Sequence, residues 1–284
     1  MTRKRALLIG INYQGTRNEL SGCLNDVDNI KTILLKEGYR EQDIIVMKDD
    51  GSGPTKLHPN RKNILMQMKT FARLSKSGDR CFFHYSGHGT YTYDRNGDEV
   101  DGVDEAICPA GGSVITDDEI RAYLINRLPY KCSLFMLMDC CHSGTGADLR
   151  FNYEDISIHK GSIGRKRFKL PDNFVFDDWV PKSTSRENQR VRETKCTVIC
   201  ISGCRDQQTS ADTVFDNQAC GAMTAVFKDC WEKYSNAGIA DLRNVLLSMS
   251  CMLRCYRYGQ RPQLSLGSRD SATLFNNGKA SIIL

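Results

Sequence analysis

The chain has 284 residues, 40% of them apolar and 26% charged, with a net charge of +5. That size suits one large α/β domain or two small ones, and the composition is that of an ordinary globular protein. No stretch approaches the roughly 18 consecutive apolar residues that a membrane-spanning helix needs, and no secretory leader is expected, because the apolar run in MTRKRALLIG is short and polar Asn12 follows at once.

In chain order, the apolar run from Arg5 to Ile11 reads as a buried strand. Val27, Ile30, Ile33 and Leu34 then recur at helical spacing, which predicts a helix over 25–36 with Asn25 or Asp26 as its N-cap. A second strand is expected over 43–47, a Gly- and Pro-bearing loop over 49–59, an amphipathic helix over 60–75 and a third strand over 79–85. The segment DRNGDEVDGVD (94–104) is acidic and Gly-rich and breaks this rhythm. A helix near 117–126 and a strand over 133–138 come next. Residues 151–195 show little periodicity and many charges, too long for an ordinary connection. Alternation resumes with a strand at 197–201, helices near 220–231 and over 240–255, and a short strand at 263–266.

Strand–helix alternation of this kind argues for a mostly parallel sheet with helices on both faces. The expected organisation is one α/β domain built from two stretches, 1–154 and 196–284, joined by a charged linker over 155–195. In that linker Arg165, Lys166, Arg167 and Lys169 form the one local basic cluster. It reads as a solvated loop, so no nucleic-acid partner is expected.

There are 13 cysteines, an odd number, and without a leader they argue for a reducing cytoplasmic setting rather than a disulfide framework. Cys196, Cys200 and Cys204 repeat every fourth residue, as do Cys251 and Cys255, but they lack the paired spacing of a zinc site. They are expected to be small core residues.

Two strand ends carry chemistry. The third strand runs into Tyr85-Ser86-Gly87-His88-Gly89, the fourth into Asp139-Cys140-Cys141-His142-Ser143-Gly144. Carboxyl ends of parallel strands are where ligands bind. Glycines beside His88 let the backbone turn tightly. A cysteine with an imidazole at hand is a candidate nucleophile, since the imidazole favours the thiolate. Cys141 lies 53 residues after His88, close to the roughly 50 known for caspases.

The runs Tyr-Ser-Gly-His-Gly and Asp-Cys-Cys-His-Ser-Gly, the opening ALLIGINY with GCLNDV, and the late SGCRDQQTSAD with GAMT together resemble the metacaspases, over residues 5–266. The Gln-Ala-Cys-Arg-Gly run of caspases proper is absent. The resemblance implies a caspase-like α/β/α sandwich and a cysteine endopeptidase. It places the nucleophile at Cys141 and the variable position before it at Cys140. Relatives often carry a Pro-rich N-terminal extension, so this chain is expected to be a catalytic unit without that prodomain, acting as a monomer.

His88 would take the thiol proton from Cys141 and later return it to the leaving amine, with the N–H groups of Gly89 and Cys141 as oxyanion donors. No third member of the constellation is evident. The resemblance further implies an acidic pocket of Cys23, Asp26, Ser86 and Asp139 for substrates with Arg or Lys before the scissile bond. It implies calcium (Ca2+) ligation by Asp101, Asp117, Asp118 and Asp148. It also implies self-cleavage in the basic linker. From the residues alone, Asp26, Asp117 or Asp118 could instead cap helices and Asp139 could bind loop amides. A catalytically silent caspase-like scaffold is the main alternative function. A redox-sensing thiol protein, with Cys140 as resolving partner, is the lesser one.

Overall fold

The computed structural model describes residues 2–93, 103–140, 149, 151–155, 179–181, 193–204, 212–215, 218–235, 239–258, 260–276 and 281–284. Its centre is an eight-stranded sheet. Strands β1 (Lys4–Gly10), β2 (Ile44–Lys48), β3 (Arg80–Ser86), β7 (Ser133–Asp139) and β10 (Thr197–Cys204) run parallel in the order β2-β1-β3-β7-β10. Three antiparallel strands extend it: β14 (Arg261–Leu266), β8 (Phe151–Asp155) and β9 (Trp179–Pro181). The sheet is therefore mixed and mostly parallel. It takes strands from both sides of the expected 155–195 linker and one, β9, from within it, so part of that segment is an edge strand of the sheet rather than a loop.

Period-2 alternation sorts its side chains onto two cores. Phe82, Phe135 and Leu137 face one side with helices α1 (Cys23–Lys36), α4 (Ala222–Tyr234), α5 (Leu242–Cys255) and α6 (Arg269–Asn276). Phe83, Tyr85, Met136 and Met138 face the other with α2 (Arg61–Leu74) and α3 (Asp117–Tyr123). The central strands are buried on both faces, which is why they read as near-continuous apolar runs. Burying each phenylalanine fully contributes roughly 2–3 kcal/mol. Among the described residues no helix is long and apolar enough to cross a membrane.

Helix α1 begins two residues before the expected start, at Cys23, with Gly22 as its N-cap; neither Asn25 nor Asp26 caps it. Its first turn lies directly on the end of β1, where a Cβ on Gly10 would sit 2.5 Å from the Cys23 carbonyl oxygen. In α3 the cap is Thr116, closed by a capping box with Glu119, so Asp117 and Asp118 are not caps either. The expected helix over 117–126 stops at Tyr123 and continues as a short 3-10 turn at Ile125–Arg127.

The end of the acidic 94–104 segment enters a three-stranded sheet. It consists of β4 (Gly89–Tyr93), β5 (Val103–Ile107) and β6 (Ile115–Thr116). The second half adds two small ladders, β11 (Asp212–Phe215) with β12 (Gln218–Gly221), and β13 (Ile239–Asp241) with β15 (Ser281–Ile283). The helix expected from 220 therefore starts at Ala222, because Cys220 and Gly221 belong to β12.

Candidate active site

Strands β3 and β7 end side by side, with Ser86 in register with Asp139. Both residues continue the alternation toward α1 and α4. Ser86 Oγ donates to Asp26 Oδ2 at 2.6 Å. Asp26 is fully buried in the first turn of α1. Its two oxygens also accept the Gly221 N–H, at 2.9 and 3.0 Å. Asp139 accepts the N–H of Thr224 at 2.8 Å, in the first turn of α4, where unsatisfied amides and the helix dipole favour negative charge.

The two carboxylates converge on one point of backbone. A Cβ on Gly221 would lie 2.2 Å from Asp139 Oδ2 and 2.8 Å from Asp26 Oδ2, so only glycine fits. Cys23 is buried beside them and its N–H donates to Asn12 Oδ1 at 3.0 Å. All four expected pocket residues, Cys23, Asp26, Ser86 and Asp139, are thus placed around the strand ends. Asp139 binds a helix amide, that of Thr224, where its alternative role named loop amides, and does so within this acidic centre. Such a centre attracts a cationic group and repels a carboxylate.

His88 lies two residues beyond Ser86 and is half-buried. Its Nε2 is 2.7 Å from the Asn18 carbonyl oxygen. A carbonyl can only accept, so Nε2 carries the proton and Nδ1 is the nitrogen left to act as a base. The partner of the imidazole that the sequence did not disclose is therefore a main-chain oxygen, in the loop after β1, which residue type cannot reveal. Gly89 opens β4. The Cys108 N–H donates to the His88 carbonyl, so Gly89 and its partner Ile107 form a non-hydrogen-bonded pair. The Gly89 N–H accordingly points away from β5, as an oxyanion donor needs.

Cys140 carries on the alternation of Met136 and Met138 into the second core and is 2% exposed. Cys141 lies outside the described residues, as do Asp101, Asp148 and most of the basic linker. Of the expected calcium ligands, Asp117 is buried and its Oδ1 accepts the Asp118 N–H at 3.0 Å. Asp118 lines a cavity of about 340 Å³ with Asp104, Thr92, Thr116, Glu119 and Arg61. Asp104 is an acidic neighbour to which the sequence assigned no role. These hard carboxylate oxygens fit a calcium ion by donor chemistry. Asp117 and Asp118 alone do not make a cation site: among the described residues no three of His, Cys, Asp and Glu form a metal-binding group. The same holds for a zinc site among the described cysteines.

Tyr13, Asn18, Tyr85, Gly221 and Thr224 all touch the site and were given no role from sequence. Tyr13 lay inside ALLIGINY, Tyr85 inside Tyr-Ser-Gly-His-Gly, and Gly221 and Thr224 inside GAMT, runs that carried the resemblance without a chemical reason for any of the four.

Residues 4–150 match the model of the metacaspase, peptidase C14 domain. The Metacaspase-1 proteins of Mycosarcoma maydis and Meyerozyma guilliermondii are 33% and 36% identical, over 93% of this chain and 70% and 69% of their own. That of Schizosaccharomyces pombe is 34% identical over 93% of this chain and 67% of its own. Among solved structures, a protein of Geobacter sulfurreducens superposes with a TM-score of 0.60 at 22% identity, covering 94% of each chain. Caspase-1 of Spodoptera frugiperda does so at 0.53 and 11%, covering 94% of this chain and 88% of its own. These two show a caspase-like fold. With one family model matched from β1 to just past β7, and relatives above 30% identity across nearly the whole length, the chain belongs to the metacaspase family of cysteine-type peptidases.

Proposed function

We propose that this peptidase is a calcium-dependent endopeptidase that cuts after Arg or Lys through His88 and Cys141, and that it processes itself within the basic 155–195 segment. The observation that carries the specificity is the convergence of Asp26 and Asp139 on Gly221, at the end of β3, the strand that delivers His88 two residues later. A guanidinium or ammonium group is the side chain such a centre complements.

In the proposed reaction the Cys141 thiol gives its proton to His88, and the thiolate attacks the scissile carbonyl carbon. The tetrahedral oxyanion is held by the N–H groups of Gly89 and Cys141, donors worth about 3–4 kcal/mol each. Collapse expels the amine, protonated by His88, and leaves an acyl-enzyme that water hydrolyses. The Asn18 carbonyl holds the imidazole edge throughout. Asp117 and Asp118 would hold calcium together with Asp101 and Asp148. When bound, the ion supplies positive charge that offsets the repulsion among these carboxylates.

Short fluorogenic peptides ending in Arg, Lys or Asp test this reading, each with calcium, with magnesium and in excess chelator. Arg and Lys peptides should be cut, with calcium raising the rate and magnesium a poor substitute. Asp118→Ala should remove the calcium response. Efficient turnover of the Asp peptide would overturn the specificity, and a full rate in chelator would overturn the calcium dependence.

A further inference from the structure

We propose that Tyr13, set in place by Asp49 and coupled to Tyr85, is the positioning residue that holds His88 in the orientation its role as base requires. The inference rests on the reading of His88 as the general base.

Tyr13 has φ 53°, the left-handed region that bulky residues rarely enter. The Asp49 carboxylate holds it there, one oxygen accepting the Asn12 N–H at 2.9 Å and the other the Tyr13 N–H at 2.6 Å. From this kink the Tyr13 ring meets the His88 imidazole, with centroids 4.7 Å apart and planes tilted by 35°. The Tyr13 hydroxyl accepts the His88 N–H at 2.9 Å and donates to the Cys108 carbonyl at 2.6 Å. Tyr85 takes the other side of the same peptide group: its hydroxyl donates toward the His88 carbonyl at 2.8 Å and accepts the Cys108 N–H at 3.2 Å. The two hydroxyls lie 3.1 Å apart.

The His88 main chain is therefore gripped at its N–H by one phenol and at its carbonyl by another. Its ring is covered by Tyr13 and its edge is held by Asn18, from the same loop as Tyr13. Burial pushes both phenols far above their ordinary range, so they stay neutral at any working pH. The arrangement also explains a glycine of the motif. A Cβ on Gly87 would lie 2.7 Å from the Tyr85 hydroxyl and 2.9 Å from that of Tyr13, so Gly87 makes room for the pair.

Fixing the base within a fraction of an ångström is a rate effect rather than a binding effect, and displacement by about 1 Å can cost a hundredfold. Tyr13→Phe keeps the ring over the imidazole and deletes only the hydroxyl. Its kcat should fall about tenfold or more while KM stays within about twofold. A loosened imidazole couples less well to the thiolate, so the pH range in which thiolate and imidazolium coexist should shrink. The acid limb of the pH–rate bell moves up and the alkaline limb moves down. Gly87→Ala, which pushes a methyl between the hydroxyls, should give the same pattern with Tyr13 intact.

Rates of Tyr13→Phe and Gly87→Ala are to be normalised to sites titrated to completion with a covalent arginyl ketone, and that of His88→Ala to total folded protein, so that misfolded protein does not count. His88→Ala is measured alongside. If that variant keeps its activity, the reading of His88 as base fails. If it is dead while Tyr13→Phe retains wild-type kcat and bell, the positioning role is overturned. A lowered melting temperature with kcat and bell unchanged overturns it equally, since that is what a merely structural tyrosine would give.

Discussion

His84 sits in the middle of β3, wholly buried, two residues before Ser86 and on the same face. Its Nδ1 donates to the Leu137 carbonyl at 3.0 Å, and its Nε2 is buried without a hydrogen bond. Burial holds its pKa down from 6.5 to about 4, against a smaller opposing effect of the Leu137 bond. The folded protein thus keeps His84 neutral while the unfolded chain takes up a proton near pH 6.5. Its contribution to stability is complete above about pH 6.5 and is lost as pH falls toward 4, a difference of about 3 kcal/mol at 1.36 kcal/mol per pH unit. Urea titrations at pH 7 and pH 4.5 should show a drop in wild-type stability that His84→Leu largely removes. An equal drop in both proteins would contradict this. Sequence position separated His84 from His88: His84 follows Phe82 and Phe83 inside the expected strand, whereas His88 lies in the Gly-bearing run beyond its end. Only the position of the strand end makes one a core residue and the other a site residue.

The cysteines divide the same way. Burial lifts the thiols of Cys196, Cys200 and Cys230 to about 12, which keeps them protonated and inert. Cys132 is the exception, its pKa lowered chiefly by a hydrogen bond from Cys81. The expectation that the repeated cysteines are core residues holds for Cys196, Cys200 and Cys251, whereas Cys255 is exposed. Cys255 departs because it ends α5, past the last buried turn.

Among the elements, the first half was legible and the second less so. Helices α1 and α2 repeat apolar residues at the helical period and strands β1, β3 and β7 are built on apolar runs, that of β3 interrupted by His84, so one-dimensional pattern sufficed. Strands β4 to β6 and β11 to β12 are short, polar and held by hairpin pairing, which leaves no periodic signal. Yet β12 is what completes the acidic centre, through a glycine whose importance lies entirely in what it touches. Gly221→Ala should drive a methyl into both carboxylates. The rate on Arg peptides should fall by more than about tenfold, because the Gly221 N–H that binds Asp26 must move to relieve the overlap. Wild-type kinetics in that variant would mean that the two carboxylates do not work together. The aspartates themselves were singled out only through the resemblance. Composition and spacing alone allowed helix caps, and the real caps turned out to be Gly22 and Thr116.

Across the full chain, one sheet brings distant stretches to a single edge. Its register sets Gly10, Ser86 and Asp139 side by side. The loop after β1 then delivers Tyr13 and Asn18, and the second half of the chain delivers Gly221 and Thr224. The proposed chemistry is thus a matter of place: Cys141 follows β7 by two residues in the chain, and β7 ends on Asp139 of the acidic centre. The most direct test is covalent labelling by a peptide chloromethyl ketone with Arg at the position before the electrophile, followed by mass mapping of all thirteen cysteines. Displacement of chloride should leave one thioether, on Cys141. Cys140→Ala should label as well as wild type, His88→Ala should label poorly, and the matching Asp ketone should leave the protein unlabelled. An adduct on Cys140, or equal labelling by the Asp reagent, would contradict that placement.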